Sequence, residues 1–173
     1  MKKIINRILH RFKEDSLAKR MKTVTRTVEY KGLDEIKSCL VLWTAHLQEE
    51  EWLRVLTEKF RGIKIDKLCF LPDSSENTVT EGRVVFRKED LGFGGKIQNA
   101  GLQKMLNNKY DLLVDLTLEP YILTRYVTTN AQALCVVGMK KEGGYGDILV
   151  DGVKQPLEFI EKLTALLADI KKF

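Results

Sequence analysis

Five short stretches of this chain are apolar on both faces. They are SCLVLWT (38–44), DKLCFLP (66–72), RVVFR (83–87), KYDLLVDLT (109–117) and ALCVVG (133–138). A strand with one face in water alternates apolar and polar residues. A strand that is apolar on both sides has to be covered twice, which is the situation of a parallel sheet between helical layers. The intervening segments supply such layers. LQEEEWLRVLTEKF (47–60) carries Leu53, Leu56 and Phe60 on one face and is ended by Gly62. AGLQKMLNN (100–108) is a short helix, and EPYILTRYVTTNA (119–131) a helix with Pro120 in its first turn. PLEFIEKLTALLADIKKF (156–173) turns Leu157, Ile160, Leu163, Leu167 and Ile170 inward. The alternation predicts an α/β fold: a single Rossmann-like three-layer domain over 23–173, with a mostly parallel sheet of about five strands. DILVD (147–151) is a further short strand candidate, and TVTRTVEY (23–30) alternates as an edge strand would.

Residues 1–22 form a separate unit in this reading, a basic amphipathic helix with Ile5, Ile8, Leu9 and Phe12 at helical spacing. The net charge of +5 is uneven. Residues 1–31 hold ten Lys or Arg against three acids, so the rest of the chain is slightly acidic. Contact with a polyanion is therefore expected from the arm alone, and no specific nucleic-acid binding is expected. The favoured expectation is that the apolar face packs on the chain's own sheet, with Ile8 and Phe12 filling a groove. A protein partner or an anionic membrane surface is the second reading. No run approaches the roughly 18 apolar residues of a spanning helix, and the basic start lacks a signal peptide's apolar core and cleavage site. Cys39, Cys69 and Cys135 stand singly in apolar stretches, with no C-x-x-C. They read as buried free thiols in a reducing, cytoplasmic setting. His10 and His46 add no metal-ligand spacing, so neither metal nor cofactor is expected.

The parallel-sheet expectation places ligands beyond the carboxyl ends of the strands. That selects Thr44 to His46, Asp73 to Ser75, Asp115 to Glu119, and the chain from Gly138 onward. The loop Gly92-Phe93-Gly94-Gly95-Lys96 fits neither G-x-G-x-x-G, because position 97 is Ile97, nor G-x-x-x-x-G-K-[ST]. Its glycines read as backbone positions needing positive φ or close packing. Glu49, Glu50 and Glu51 fill the first turn after the first strand, complement the helix dipole and would repel a phosphate. Ser74 and Ser75 lack a nucleophile context. Asp115 sits near the carboxyl end of a strand, where a buried carboxylate must be hydrogen-bonded. The expected role is to accept loop amides and tie them to the sheet. Asp111 is expected before the strand, solvated or capping a turn.

KYDLLVDLT, followed after a helix by A-x-A-L-C-V-V-G, resembles an uncharacterised family of short bacterial proteins. Its members carry a "YD-L-L-I-D-L" strand, a later "A-x-x-x-x-V-G" strand and an upstream F-x-G-K-I-x-N segment, here Phe93 to Asn99. The resemblance implies an α/β fold and no assigned activity. The same thirty residues are similar, more distantly, to the N-terminal half of heptosyltransferase-type glycosyltransferases, which bind their sugar nucleotide with a second Rossmann-like domain. The function expected is a non-catalytic binding or accessory module. The competing reading is an enzyme for a small polar or phosphorylated, sugar- or nucleotide-like substrate, with Asp115, Thr117, Glu119, Asp73, Gly94, Gly95 and Lys96 around its crevice.

Overall fold

The structure is a computed structural model that describes residues 1–21, 25–45, 48–73 and 78–170. Six strands form one sheet: β1 (Ser38–Thr44), β2 (Lys64–Leu71), β3 (Val84–Arg87), β4 (Lys109–Asp115), β5 (Gln132–Met139) and β6 (Ile148–Val150). Their order is β3-β2-β1-β4-β5-β6. Every neighbouring pair is parallel. This is the doubly wound order, in which the chain builds outward from β1 in one direction and then returns to build in the other. The sheet exceeds the expected five strands by β6, a half-exposed edge strand.

Among the described residues, five α-helices cover it: α1 (Lys2–Met21), α2 (Glu49–Lys59), α3 (Ala100–Asn107), α4 (Ile122–Asn130) and α5 (Pro156–Asp169). Alternate residues of the central strands feed two cores. Cys39, Val41 and Trp43 of β1 join Leu112 and Val114 of β4 under α2 and α5, with Leu53, Leu56, Phe159 and Leu163. Leu40, Leu42 and Leu113 join Phe70 and Phe86 on the other face, under Leu17 of α1, Leu102 of α3, and Leu123 and Val127 of α4. The two-sided apolarity of the sequence is thus the two faces of a sheet between helical layers.

Three expectations are corrected. Residues 25–30 form no strand; the segment is held against β5 by single contacts, with Glu29 donating its N–H to the Leu134 carbonyl at 2.9 Å and Arg26 reaching the Ala133 carbonyl at 3.0 Å. Helix α4 begins at Ile122, so Pro120 precedes it rather than opening it. And α1 does not dock by its Ile and Phe stripe: Ile8 and Phe12 are exposed, and the fully buried residue is Leu17.

The seat of α1 explains that last result. Gly94 and Gly95 sit in a 3-10 turn with φ of 67° and 72°. A Cβ at Gly95 would stand 3.0 Å from the Leu17 backbone nitrogen, so glycine lets the helix backbone come close. Arg20 then donates to the Gly95 carbonyl at 3.2 Å, and the Lys13 ammonium lies 5.4 Å from the Phe93 ring centre. Among the described residues, no helix is long and apolar enough to cross a membrane.

Candidate functional site

The strand order reverses between β1 and β4, which is where an open α/β sheet leaves a crevice. Leu42 pairs with Asp115, so the two strands end nearly level. A cleft of about 160 Å³ lies beyond them, walled by Trp43, Thr44, Trp52, Leu116, Glu119 and Tyr121, with Pro156 at the start of α5.

Two residues of this wall each carry a buried polar atom. Trp52 Nε1 and Thr44 Oγ1 have no hydrogen-bond partner among the described residues. A buried donor left unpaired costs about 1–3 kcal/mol, so such groups are rare and call for a reason. The rest of the wall is fixed. Trp43 and Trp52 meet edge to face, with ring centres 5.5 Å apart and planes at 83°. Trp43 donates its indole N–H to Glu49 Oε2 at 2.9 Å. Glu49 also forms a close ion pair with Arg83, whose guanidinium lies 5.2 Å from the Trp43 ring and donates to Glu50 at 3.0 Å. Glu49 is therefore buried and paired, and locks an aromatic wall rather than simply facing the helix dipole.

Asp115 lies behind the cleft, 4% exposed. Its Oδ1 accepts the Thr117 N–H at 2.9 Å and the Thr117 hydroxyl at 2.6 Å. Its Oδ2 faces Lys141 Nζ at 3.2 Å, and Lys141 also donates to Thr117 Oγ1 at 2.6 Å and to the Thr117 carbonyl. The β5–β6 loop is thereby tied to the turn after β4. Asp111 lies inside β4, not before it as expected. It accepts the Lys37 and Ser38 amides at 2.8 and 3.2 Å and pairs with Lys31 at 2.6 Å. Partial burial would raise its pKa, but Lys31 and the two amides hold it below the ordinary carboxylate value.

The other sequence-selected residues are dispersed. Glu119 is exposed at the cleft rim and accepts the Tyr121 hydroxyl at 3.0 Å. Asp73 is exposed beyond β2. Gly94 and Gly95 belong to the seat of α1, and Lys96 lines a separate groove with Arg20 and Gln103. His46, Ser74 and Ser75 lie outside the described residues. Trp43, Trp52, Arg83 and Lys141 were not anticipated. Trp43 and Trp52, the only two tryptophans of the chain, flank the first strand–helix turn, and that spacing was the available signal. Lys141, in a Gly-rich loop, carried none.

Larger hollows lie elsewhere, away from the switch point. One of about 640 Å³ runs along α2, where Arg54 and Glu58 pair with each other at 3.2 Å. One of about 560 Å³ lies at the amino ends of β4 and β5, where Arg26 pairs with Asp147 while its Nε, too, is buried without a partner among the described residues. Among the described residues, no three His, Cys, Asp or Glu side chains gather as a metal site.

Comparison with known proteins gives one match. A model described as a family of unknown function, DUF6913, matches residues 7–170. No curated protein matches, and no solved structure does.

Proposed function

The chain belongs to DUF6913, a family of unknown function, and from the cleft itself we propose that it is a small-molecule binding module. The ligand is compact and largely apolar or aromatic, carries a hydrogen-bond acceptor for Trp52 Nε1, and is not a phosphate. The observation that carries this is that two residues of the switch-point wall, Trp52 and Thr44, carry buried polar atoms, Nε1 and Oγ1, that have no partner among the described residues. An acceptor entering the cleft would satisfy a donor without a partner among the described residues, and displace water from the indole wall. Exclusion of phosphate is supported by Glu119 at the rim and by a described lining that holds no Lys or Arg.

Binding is favoured over acid–base catalysis because Asp115 is already engaged through both oxygens by Thr117 and Lys141. A reducing, cytoplasmic setting fits the three buried free thiols. The test uses intrinsic fluorescence, since both tryptophans of the chain wall the cleft. A fragment library of small aromatic acceptors and a panel of nucleotides and sugar phosphates are titrated side by side. Neutral aromatic fragments should shift the emission, and Trp52→Phe should weaken them about tenfold, the worth of one hydrogen bond near 1.4 kcal/mol. Binding by phosphorylated compounds alone would overturn the reading.

A further inference from the structure

Helix α1 joins the molecule by one side and by one end. Its buried residue is Leu17, seated on Gly95, while residues 1–8 are exposed throughout. Ile8 and Leu17 are nine residues apart, two and a half turns, so they point in opposite directions. Ile4, Ile8 and Phe12 repeat every four residues along the outward side, 64%, 50% and 64% exposed, and Ile5, beside them, is 51% exposed. Four large apolar side chains thus form a stripe that the fold leaves uncovered.

Along the first three turns the charges beside the stripe have one sign, and the first acids, Glu14 and Asp15, come only beyond Phe12. Residues 1–13 hold Lys2, Lys3, Arg7, Arg11 and Lys13 and no Asp or Glu. Arg7 and Arg11 each precede a stripe residue and run along its edge. Their long stems can lie beside the apolar side chains while the charged heads reach outward. A second copy set on this face would bring two sets of cations together, with Glu14 and Asp15 one turn further along as the nearest acids. A surface that is apolar within and anionic at its boundary matches both components.

We propose that the first three turns of α1 lie on an anionic lipid surface, with Ile4, Ile5, Ile8 and Phe12 inserted at the level of the acyl chains and Lys2, Lys3, Arg7 and Arg11 at the headgroups. The helix is interfacial, not spanning. Leu17 and Arg20 keep the sheet attached, so the whole α/β body is carried to the bilayer. This is independent of what the switch-point cleft binds.

The test is flotation of the full chain with vesicles of phosphatidylglycerol and phosphatidylcholine in equal parts, and of phosphatidylcholine alone, at low and high salt. Binding is expected on the anionic vesicles only, falling severalfold in high salt as the charges are screened. Ile8→Ser with Phe12→Ser, and separately Arg7→Gln with Arg11→Gln, should each lower the bound fraction at least fivefold. Neither pair should alter the melting temperature, because all four side chains are exposed. The proposal is overturned by no binding to anionic vesicles, by equal binding to both lipids, or by variants that bind like the parent. A lipid-free dimer in sedimentation equilibrium, dispersed by Phe12→Ser, would assign the face to a second copy and likewise overturn it.

Discussion

Lys141 brings its ammonium to 3.2 Å from Asp115 Oδ2 across the gap between the β5–β6 loop and the end of β4. Both side chains are largely buried, and both also engage Thr117. Asp115→Ala leaves Lys141 without its counter-charge, though still bonded to Thr117, and the Thr117 N–H without its acceptor. The expected cost is on the order of 2–3 kcal/mol in urea unfolding, below the full value for a broken buried pair because Lys141 can turn toward water. Asp115→Asn, which keeps an acceptor for Thr117, should cost less. An Asp115→Ala protein that unfolds at the parent's midpoint would mean that the network contributes nothing.

The two tryptophans should respond differently to the same substitution. Trp43 donates to buried Glu49, so Trp43→Phe loses a charge-assisted bond as well as apolar area, about 2–3 kcal/mol. Trp52→Phe removes a donor that has no partner among the described residues. That gain offsets part of the lost area, and the change should stay within about 1 kcal/mol. Guanidinium unfolding of both variants, followed by far-UV circular dichroism, reads the difference; equal costs would mean that Trp52 Nε1 is satisfied in solution.

Asp111 sets a pH dependence. Its folded pKa lies below its ordinary value of 3.8 through Lys31 and the Lys37 and Ser38 amides, against the effect of burial. A carboxylate depressed in the folded state contributes stability above its unfolded pKa. That contribution is lost as pH falls from about 4 through the folded value. Urea midpoints measured between neutral pH and pH 3 should therefore fall more steeply for the parent than for Asp111→Asn. Parallel curves for the two proteins would show that Asp111 is not linked to folding.

The cysteines should be silent in the native state. Burial pushes the Cys69 thiol up to about 12 and the Cys135 thiol up to about 11, and Cys39 is raised for the same reason. Thiolate is the reactive form. An aromatic disulfide reagent near pH 8 should therefore titrate none of the three rapidly, and all three in denaturant. A stoichiometric fast phase in native buffer would contradict this packing.

The sheet was legible because apolarity on both faces survives any local ambiguity: Leu40, Leu42, Val41 and Trp43 have to be covered on two sides wherever β1 lies. The edges were less so. Ile148–Val150 is half exposed and short, and residues 25–30 alternate like a strand yet have only scattered bonds to β5. Asp115 could be read as a structural acceptor because a charge in an apolar strand has few other fates, but Lys141, 26 residues away, is brought there only by the fold. The place of the cleft was legible, since the strand-end rule selected Thr44 and Glu119, which line it, but its aromatic wall was not. Trp43 and Trp52 lie nine residues apart in sequence, and their edge-to-face pair exists only once α2 folds back over β1. For α1 the periodicity was visible, but the side that docks was not. The Ile and Phe stripe is the more apolar face, whereas contact was decided by a glycine turn some eighty residues away that lets the helix backbone approach at Leu17.

That glycine turn has a mechanical consequence. Leu17, Gly95 and Arg20 clamp α1 near one end, and Ile4 stands about 20 Å further along the same rod, thirteen residues at 1.5 Å each. A helix held in this way acts as a cantilever. A force applied at its tip reaches the sheet as torque on a joint where a methyl group in place of one hydrogen at Gly95 would already crowd the Leu17 backbone. The weakest point under load would then be that joint, while β1 and β4, bonded along their length, would stay in register.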